Sequence, residues 1–156
     1  HQDIGPWTYY PHPWPFALPF NKEGNGFTKT FLGSDALAQA TDAPYTLAFV
    51  GNDLRKIDAH EAVVLDLNGH QIGKVLTCAT DMAIGRHGGR IYSIATADKP
   101  DDLKIKGLSC GFVKVTSNLQ PGTVVELKDR KRAIQVVIET DVRPDRTARK
   151  ALKNFL

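Results

Sequence analysis

The sequence predicts a mainly β fold in which antiparallel strands form a sandwich or a barrel across residues 45–140. Six or seven short apolar runs follow one another in this region. Residues typical of turns separate them at intervals of about 8–12 residues, the spacing that sandwiches and barrels show. The chain of 156 residues is 42% hydrophobic and 24% charged, an ordinary composition for one globular domain with room for a small second piece.

Residues 1–43 differ in composition from the rest of the chain. Five of the nine prolines lie in the first twenty residues, and eight of the thirteen aromatic residues lie in the first 31. Proline at this density excludes a regular helix or a central strand, whereas a disordered linker would carry few aromatics. We therefore expect an irregular segment that packs against its own domain or another. Ser34 is a suitable N-cap for a short helix over residues 35–41.

The strands are predicted from apolar runs bounded by turn residues. Asn68-Gly69 predicts a type I′ hairpin, Gln120-Pro121-Gly122 a turn, and the charged residues 128–130 the turn of a last hairpin. Residues 81–106 form a long, turn-rich stretch. The predicted strands cover residues 45–50, 60–67, 71–78, 91–95, 108–115, 123–127 and 133–138.

The positive charge is concentrated at one end of the chain. The net charge is +3, too small to indicate a polyanionic partner, but residues 126–156 hold nine Lys or Arg against five Asp or Glu. A solvated face with a basic tail over residues 143–156 explains this surplus. The alternative, a site for a small anionic ligand or for nucleic acid, stays open.

No local motif identifies a catalytic apparatus or a metal site. Cys78 and Cys110 belong to no Cys-x-x-Cys pair, and the five histidines show no i, i+4 pairing. A Gly-x-Ser-x-Gly elbow is absent, and the pair Asp101-Asp102 lies in a polar loop. No apolar run approaches the ~18–20 residues that span a bilayer. We expect no membrane association and, with two free thiols and no signal segment, a cytoplasmic location.

The order of several segments resembles the glycine cleavage T-protein (aminomethyltransferase) family. His1-Gln2-Asp3-Ile4 is similar to the family's YG-x-DI element, and an aromatic, proline-containing stretch follows at 13–20. The run Thr30-Phe31-Leu32-Gly33-Ser34-Asp35-Ala36-Leu37 is similar to DFIGR-x-AL, and the strand at 45–50 to KLVGL.

The second half of the chain continues the resemblance. Residues 58–63 stand for an R-x-H/G-x-PV loop, and residues 69–78 (GHQIGKVLTC) are similar to GxxIGxVTSG. Residues 109–113 (SCGFV) are similar to ALGYV, and residues 121–137 (PGTVVELKDRKRAIQVV) to PGTxxEVxxRGKxxxAxVV. Together these segments extend over most of the first 140 residues.

The resemblance implies a domain organisation. Family members carry a C-terminal six-stranded antiparallel β-barrel, which residues 44–142 would form. Residues 1–43 would be the last part of the preceding folate-binding domain with a connecting helix, and residues 143–156 a basic tail. The chain would then be the C-terminal portion or a subunit of a larger enzyme, with the upstream domain or a partner subunit as its first partner.

The resemblance also implies one-carbon transfer to tetrahydrofolate. The catalytic aspartate of the family lies upstream, so we expect no catalytic residue here and no turnover by this chain alone. A lipoyl or other one-carbon carrier protein is a further expected partner. Arginines bind carboxylates by paired, charge-assisted hydrogen bonds, so Arg143 or Arg146 is expected to hold the glutamate tail of the folate. Asp58 replaces the family's loop arginine, and Arg55 or Lys56 is expected to substitute for it.

A second interpretation is a non-catalytic basic barrel that binds RNA or a protein partner. Lys128, Arg130, Lys131 and Arg132 could contact phosphates. The basic residues are not interleaved with aromatics as stacking on bases requires, so nucleic acid is not the expected partner.

Overall fold

The computed structural model describes residues 27–35 and 44–144. Eight strands form in this part of the chain, and their bounds follow from the alternation of apolar and polar residues and from the turns between them. They are β1 (Tyr45–Gly51), β2 (Val63–Leu65), β3 (Gln71–Asp81), β4 (Ile84–His87), β5 (Arg90–Ser93), β6 (Leu108–Val115), β7 (Val124–Lys128) and β8 (Ala133–Glu139).

Six of the strands close into an antiparallel barrel. The order around the barrel is β1-β6-β3-β2-β7-β8, and β8 pairs with β1 to complete the circle. Closure leaves no edge strand with unpaired backbone groups in the barrel. The structure thus confirms the expected fold class, a mainly β chain with a six-stranded antiparallel barrel.

Apolar side chains at every second position fill the barrel. Along β8 the buried residues are Ile134, Val136 and Ile138, and Phe49 of β1 is fully buried among them. Since side chains in a strand point alternately to the two faces, this period of two defines one inner face for each strand. We call this cluster the inner core; its buried members are Phe49, Ile57, Ala62, Val64, Val75, Val113, Val115, Val125, Leu127, Ile134, Val136 and Ile138.

A second apolar cluster lies on the outside of the barrel wall. β4 and β5 pair as a separate two-stranded hairpin. Ile84 and Ile91 of this hairpin pack with Val50 of β1 and with Leu108 and Cys110 of β6. These three residues face outward, because their neighbours along the strand face the interior. The outer core consists of Val50, Ile84, Ile91, Leu108 and Cys110, with Val142 packed against it. The hairpin therefore covers part of the outer wall formed by β1 and β6.

The β2–β3 connection corrects the predicted type I′ turn. Asp66 N–H donates to His70 O, and Gly69 N–H donates to Asp66 O. Gly69 has a φ of 84°, whereas Asn68 is not among the residues with positive φ. A type I′ turn needs positive φ at both positions, so the loop is the three-residue kind with a glycine after a type I turn.

The remaining strand predictions differ in detail. The predicted strand at 60–67 shortens to β2, because residues before it form a loop with Ala62 N–H donating to Ala59 O. The turn-rich stretch holds two strands, β4 and β5, where only 91–95 was predicted. Ser34 and Asp35 are helical, and the rest of the predicted helix lies outside the described residues. Most of the segment 1–43 and of the tail 143–156 also lies outside them, so those assignments stay predictions.

Candidate anion-binding site

The arginines expected to bind a carboxylate occupy different places. Arg55 lies in the loop that follows β1, and Arg143 lies in the segment that follows β8. Arg55 lines an open depression to which Arg143 does not contribute. Arg146 lies outside the described residues. The structure therefore does not bring the expected arginines together in one cavity.

The depression around Arg55 is formed by three segments that are far apart in sequence. The loop after β1, the middle of β4 and the approach to β6 border an open depression of about 630 Å³. We call it the cationic depression; its lining is Asn52, Asp53, Leu54, Arg55, Gly85, Arg86, Lys104, Lys106, Gly107 and Leu108. Four lining residues are basic and one is acidic, so the depression is positively charged.

Arg55 is held on the rim by Asp53. The guanidinium Nε donates to Asp53 Oδ2 at 2.8 Å, and the backbone N–H of Arg55 donates to Oδ1 at 2.8 Å. The backbone hydrogen bond from Arg55 lowers the pKa of the Asp53 carboxyl below its ordinary value, and the guanidinium acts in the same direction. The side chain of Arg55 is 72% exposed, so its remaining donors face solvent.

Arg86 is anchored much more firmly. Its Nη1 donates to Glu139 Oε1 and to Gly89 O, both at 3.0 Å, and its Nη2 donates to Val50 O at 3.3 Å. The two side chains are only 16% and 21% exposed. The Nε atom is buried and has no acceptor among the described residues. Arg86 thus ties β4 to β1 and β8, and its orientation is fixed before any ligand arrives.

Lys104 and Lys106 carry the surplus charge of the depression. Both are exposed, and the residue between them, Ile105, packs against Gly85 of β4. Side chains two apart in an extended segment lie on the same side, which places both lysines in the lining. Neither forms an ion pair with a carboxylate of the described residues.

Arg143 contacts an acid on the outer wall. Its Nε lies 3.7 Å from Oδ2 of Asp81, the last residue of β3. Asp81 also accepts the backbone N–H of Ala83 through Oδ1 at 2.9 Å. The side chain of Arg143 is 35% exposed, so the guanidinium is accessible to a ligand that competes with Asp81 or shares it.

Acidic residues offset part of the positive charge of the turn between β7 and β8. Asp129 accepts the backbone N–H groups of Asp58, Lys131 and Arg132, at 2.7–2.9 Å. Arg130 forms an ion pair with Glu61. These contacts give the acidic residues a structural role, linking the turn to the loop that follows β1. They also reduce the net charge available for phosphates.

The two cysteines lie on opposite faces of adjacent strands. Cys78 packs against the inner core and Cys110 belongs to the outer core, so both are free thiols. Burial raises the pKa of the Cys78 thiol, which opposes a reactive thiolate at neutral pH. Residues 27–35 and 44–144 contain no cluster of His, Cys, Asp and Glu suited to a metal ion. Within the same residues no helix has the length and apolar character needed to cross a membrane.

The comparisons with known proteins found no relative of the chain. No protein-family model, curated protein or solved structure matches the chain significantly. The site must therefore be interpreted from its own geometry.

Sequence reasoning missed three of the four basic residues of the depression. No motif or charge pattern of the sequence singles out Arg86, Lys104 or Lys106 as a site residue. The alternation Lys104-Ile105-Lys106 is a strand-like signal that could have placed both lysines on one side. The sequence contained no comparable signal that Arg86 meets Glu139, because the two residues are 53 positions apart.

Proposed function

We propose that this chain is the C-terminal barrel module of a tetrahydrofolate-dependent aminomethyl- or methyltransferase of the T-protein kind. The observation that carries the proposal is the closed six-stranded antiparallel barrel, the architecture that the resemblance implies. β7 lies wholly within a segment of that resemblance, as does most of β1, β3, β6 and β8. A barrel by itself serves many functions, so the proposal depends on the fold and the ordered segments together.

In this proposal the chain binds and orients folate, and the described residues hold no catalytic group. Tetrahydrofolate ends in a glutamate whose carboxylates pair well with guanidinium groups. Arg143 and Arg55 are both accessible from solvent, with side-chain exposures of 35% and 72%. Arg143 is the preferred candidate because the family resemblance implies an arginine near the chain end that meets this tail. Arg146 stays an alternative.

A titration of the full-length protein with 5-formyltetrahydrofolate, a stable reduced folate, tests this proposal. Replacing Arg143 by Ala should weaken binding by about tenfold or more, the size of a charge-assisted hydrogen bond. The variant Asp81→Asn keeps an acceptor for Ala83 N–H but removes the competing charge, so it should bind more tightly. Calorimetry measures both changes.

The control is Arg130→Ala, which removes a guanidinium on the β7–β8 turn. It should leave folate affinity unchanged. The proposal is wrong if the full-length protein does not bind the reduced folate, or if it does and neither Arg143→Ala, Arg55→Ala nor Arg146→Ala weakens that binding. Tight RNA binding with a steep salt dependence, in the absence of folate binding, would favour the basic-barrel interpretation.

A further inference from the structure

The cationic depression contains two arginines that are paired with acidic residues and two lysines that form no ion pair with a carboxylate of the described residues. Asp53 offsets Arg55, and Glu139 offsets Arg86, so the two arginine pairs are close to neutral. The ammonium groups of Lys104 and Lys106 remain. The depression therefore has an excess of two positive charges, which is matched by a ligand group with two negative charges.

The depression also has an apolar margin. Leu54 belongs to the lining, and Leu54 and Met82 both lie against Gly107 at its edge. Both side chains are large and exposed, 43% for Leu54 and 63% for Met82. A volume of about 630 Å³ lies within the usual range for small-molecule sites. The depression thus offers contact area to an organic body as well as charge to an anion.

We propose that the cationic depression binds a small organic ligand through a dianionic group, either a phosphate monoester or two adjacent carboxylates. Lys104 and Lys106 neutralise the group, and the exposed donors of Arg55 bind its oxygens. Arg86, fixed by Glu139 and Val50 O, holds β4 in place as a positioning residue. The organic body contacts Leu54 and Met82. This inference does not depend on the transferase proposal, because Lys104, Lys106 and Met82 lie outside the segments of the family resemblance.

Calorimetric titrations with four simple anions test the proposal. Phenyl phosphate and phthalate are dianionic near pH 7.5 and distinguish the two chemical sources. Benzoate has the same ring with one charge, and inorganic phosphate has the charge without the ring. We expect saturable binding of at least one aromatic dianion at low salt, with benzoate and inorganic phosphate weaker. Amide chemical shifts of Gly85 and Gly107 should move with the same affinity.

The variant Lys104→Gln/Lys106→Gln should weaken binding of the dianion by about tenfold, because two exposed charges are removed. The matched control Lys128→Gln/Lys131→Gln removes the same net charge from the β7–β8 turn and should have no effect. Leu54→Ala should reduce the advantage of phenyl phosphate over inorganic phosphate.

Three results would each overturn the inference. They are no saturable binding of either aromatic dianion in the millimolar range, equal weakening by the two double variants, and an affinity for benzoate equal to that for the aromatic dianion that binds more tightly. The probes lack a pterin, and the deciding variants change Lys104 and Lys106 rather than Arg143 or Arg146, so these results are separate from the folate titration. Failure of the dianion site leaves the transferase proposal standing, and the reverse is also true.

Discussion

The inner core of the barrel and the outer core beneath the β4–β5 hairpin hold the chain together in different ways. The inner core consists of apolar residues contributed by all six strands and by the loop after β1. The outer core has five buried residues, and the hairpin that covers it also carries polar side chains with little exposure, Arg86 in its pair with Glu139 and the buried Ser93. The first is a continuous apolar interior, whereas the second is a small apolar contact held by specific hydrogen bonds.

This difference has consequences for function. Because its strand pairing is closed and its interior is apolar, we expect the barrel to open only on global unfolding. The hairpin contributes Gly85 and Arg86 to the cationic depression but is attached by few apolar side chains. Loss of its hydrogen bonds should therefore alter the depression while leaving the barrel intact. The cationic depression is therefore formed in part by the hairpin, which is less firmly attached than the strands of the barrel.

The largest expected effect comes from the inner core. Phe49 is fully buried, so Phe49→Ala removes its transfer free energy and leaves a cavity, and it should cost about 3–5 kcal/mol of unfolding free energy. Phe112→Ala is the matched control, because Phe112 faces outward on β6 and is 44% exposed. That change should cost about 1 kcal/mol or less. Urea unfolding measures both, and similar losses for the two variants would contradict the distinction between inner and outer faces.

A smaller effect is expected from the Arg86–Glu139 pair on the outer wall. Glu139→Gln leaves the guanidinium without its counter-charge in a mostly buried position, and it should cost about 1–3 kcal/mol. A double-mutant cycle with Arg86→Met isolates the interaction, which we expect to fall within about 0.5–3 kcal/mol. Hydrogen exchange should show the loss of protection in β4 and β5 before it appears in β1 and β6. If the losses in unfolding free energy of the two single variants sum to that of the double variant, the two side chains have no stabilising interaction.

The barrel could be predicted to a useful extent because its information is local. Period-two runs such as Ala133–Glu139 define strand and inner face directly. The turns at 68–69 and 120–122 fall between observed strands, and the turn at 128–130 begins at the last residue of β7. The turn type was wrong at Asn68-Gly69, where the loop carries one more residue than the pair suggests. Six strands and closure came from the family resemblance rather than from the pattern.

The cationic depression could not be predicted from the same signals. Its lining comes from segments near residues 53, 86 and 105, which meet only because the hairpin folds back on the outer wall. Arg86 and Glu139 are 53 residues apart, and a hydrophobic pattern carries no information about such a pair. The turn-rich stretch that supplies β4 and β5 has only short apolar runs, so its strands and their packing depend on tertiary contacts.

The smallest predicted effect concerns a carboxylate that joins two loops at one end of the barrel. Asp129 Oδ2 accepts the backbone N–H of Asp58, and Oδ1 accepts those of Lys131 and Arg132. Hydrogen bonds from these backbone groups, led by that of Asp58, lower the pKa of Asp129 below its ordinary value of 3.8. The ionised form is therefore favoured by folding. Its contribution to stability is present above pH 3.8 and is lost as the pH falls through the lower pKa of the folded protein.

The variant Asp129→Asn tests this link, because its amide oxygen still accepts from Lys131 and Arg132 while its amide nitrogen cannot accept from Asp58. The urea midpoint of the variant should lie below that of the original chain at neutral pH, and the gap should narrow below pH 3.8 as the native carboxylate becomes protonated. Lys131→Gln removes a charge from the same turn without removing an acceptor, so its midpoint should track the original across this range. A gap that stays constant down to acid pH would mean that the charge of Asp129 contributes nothing to stability, and that other contacts, such as the Arg130–Glu61 ion pair, hold the loop to the turn.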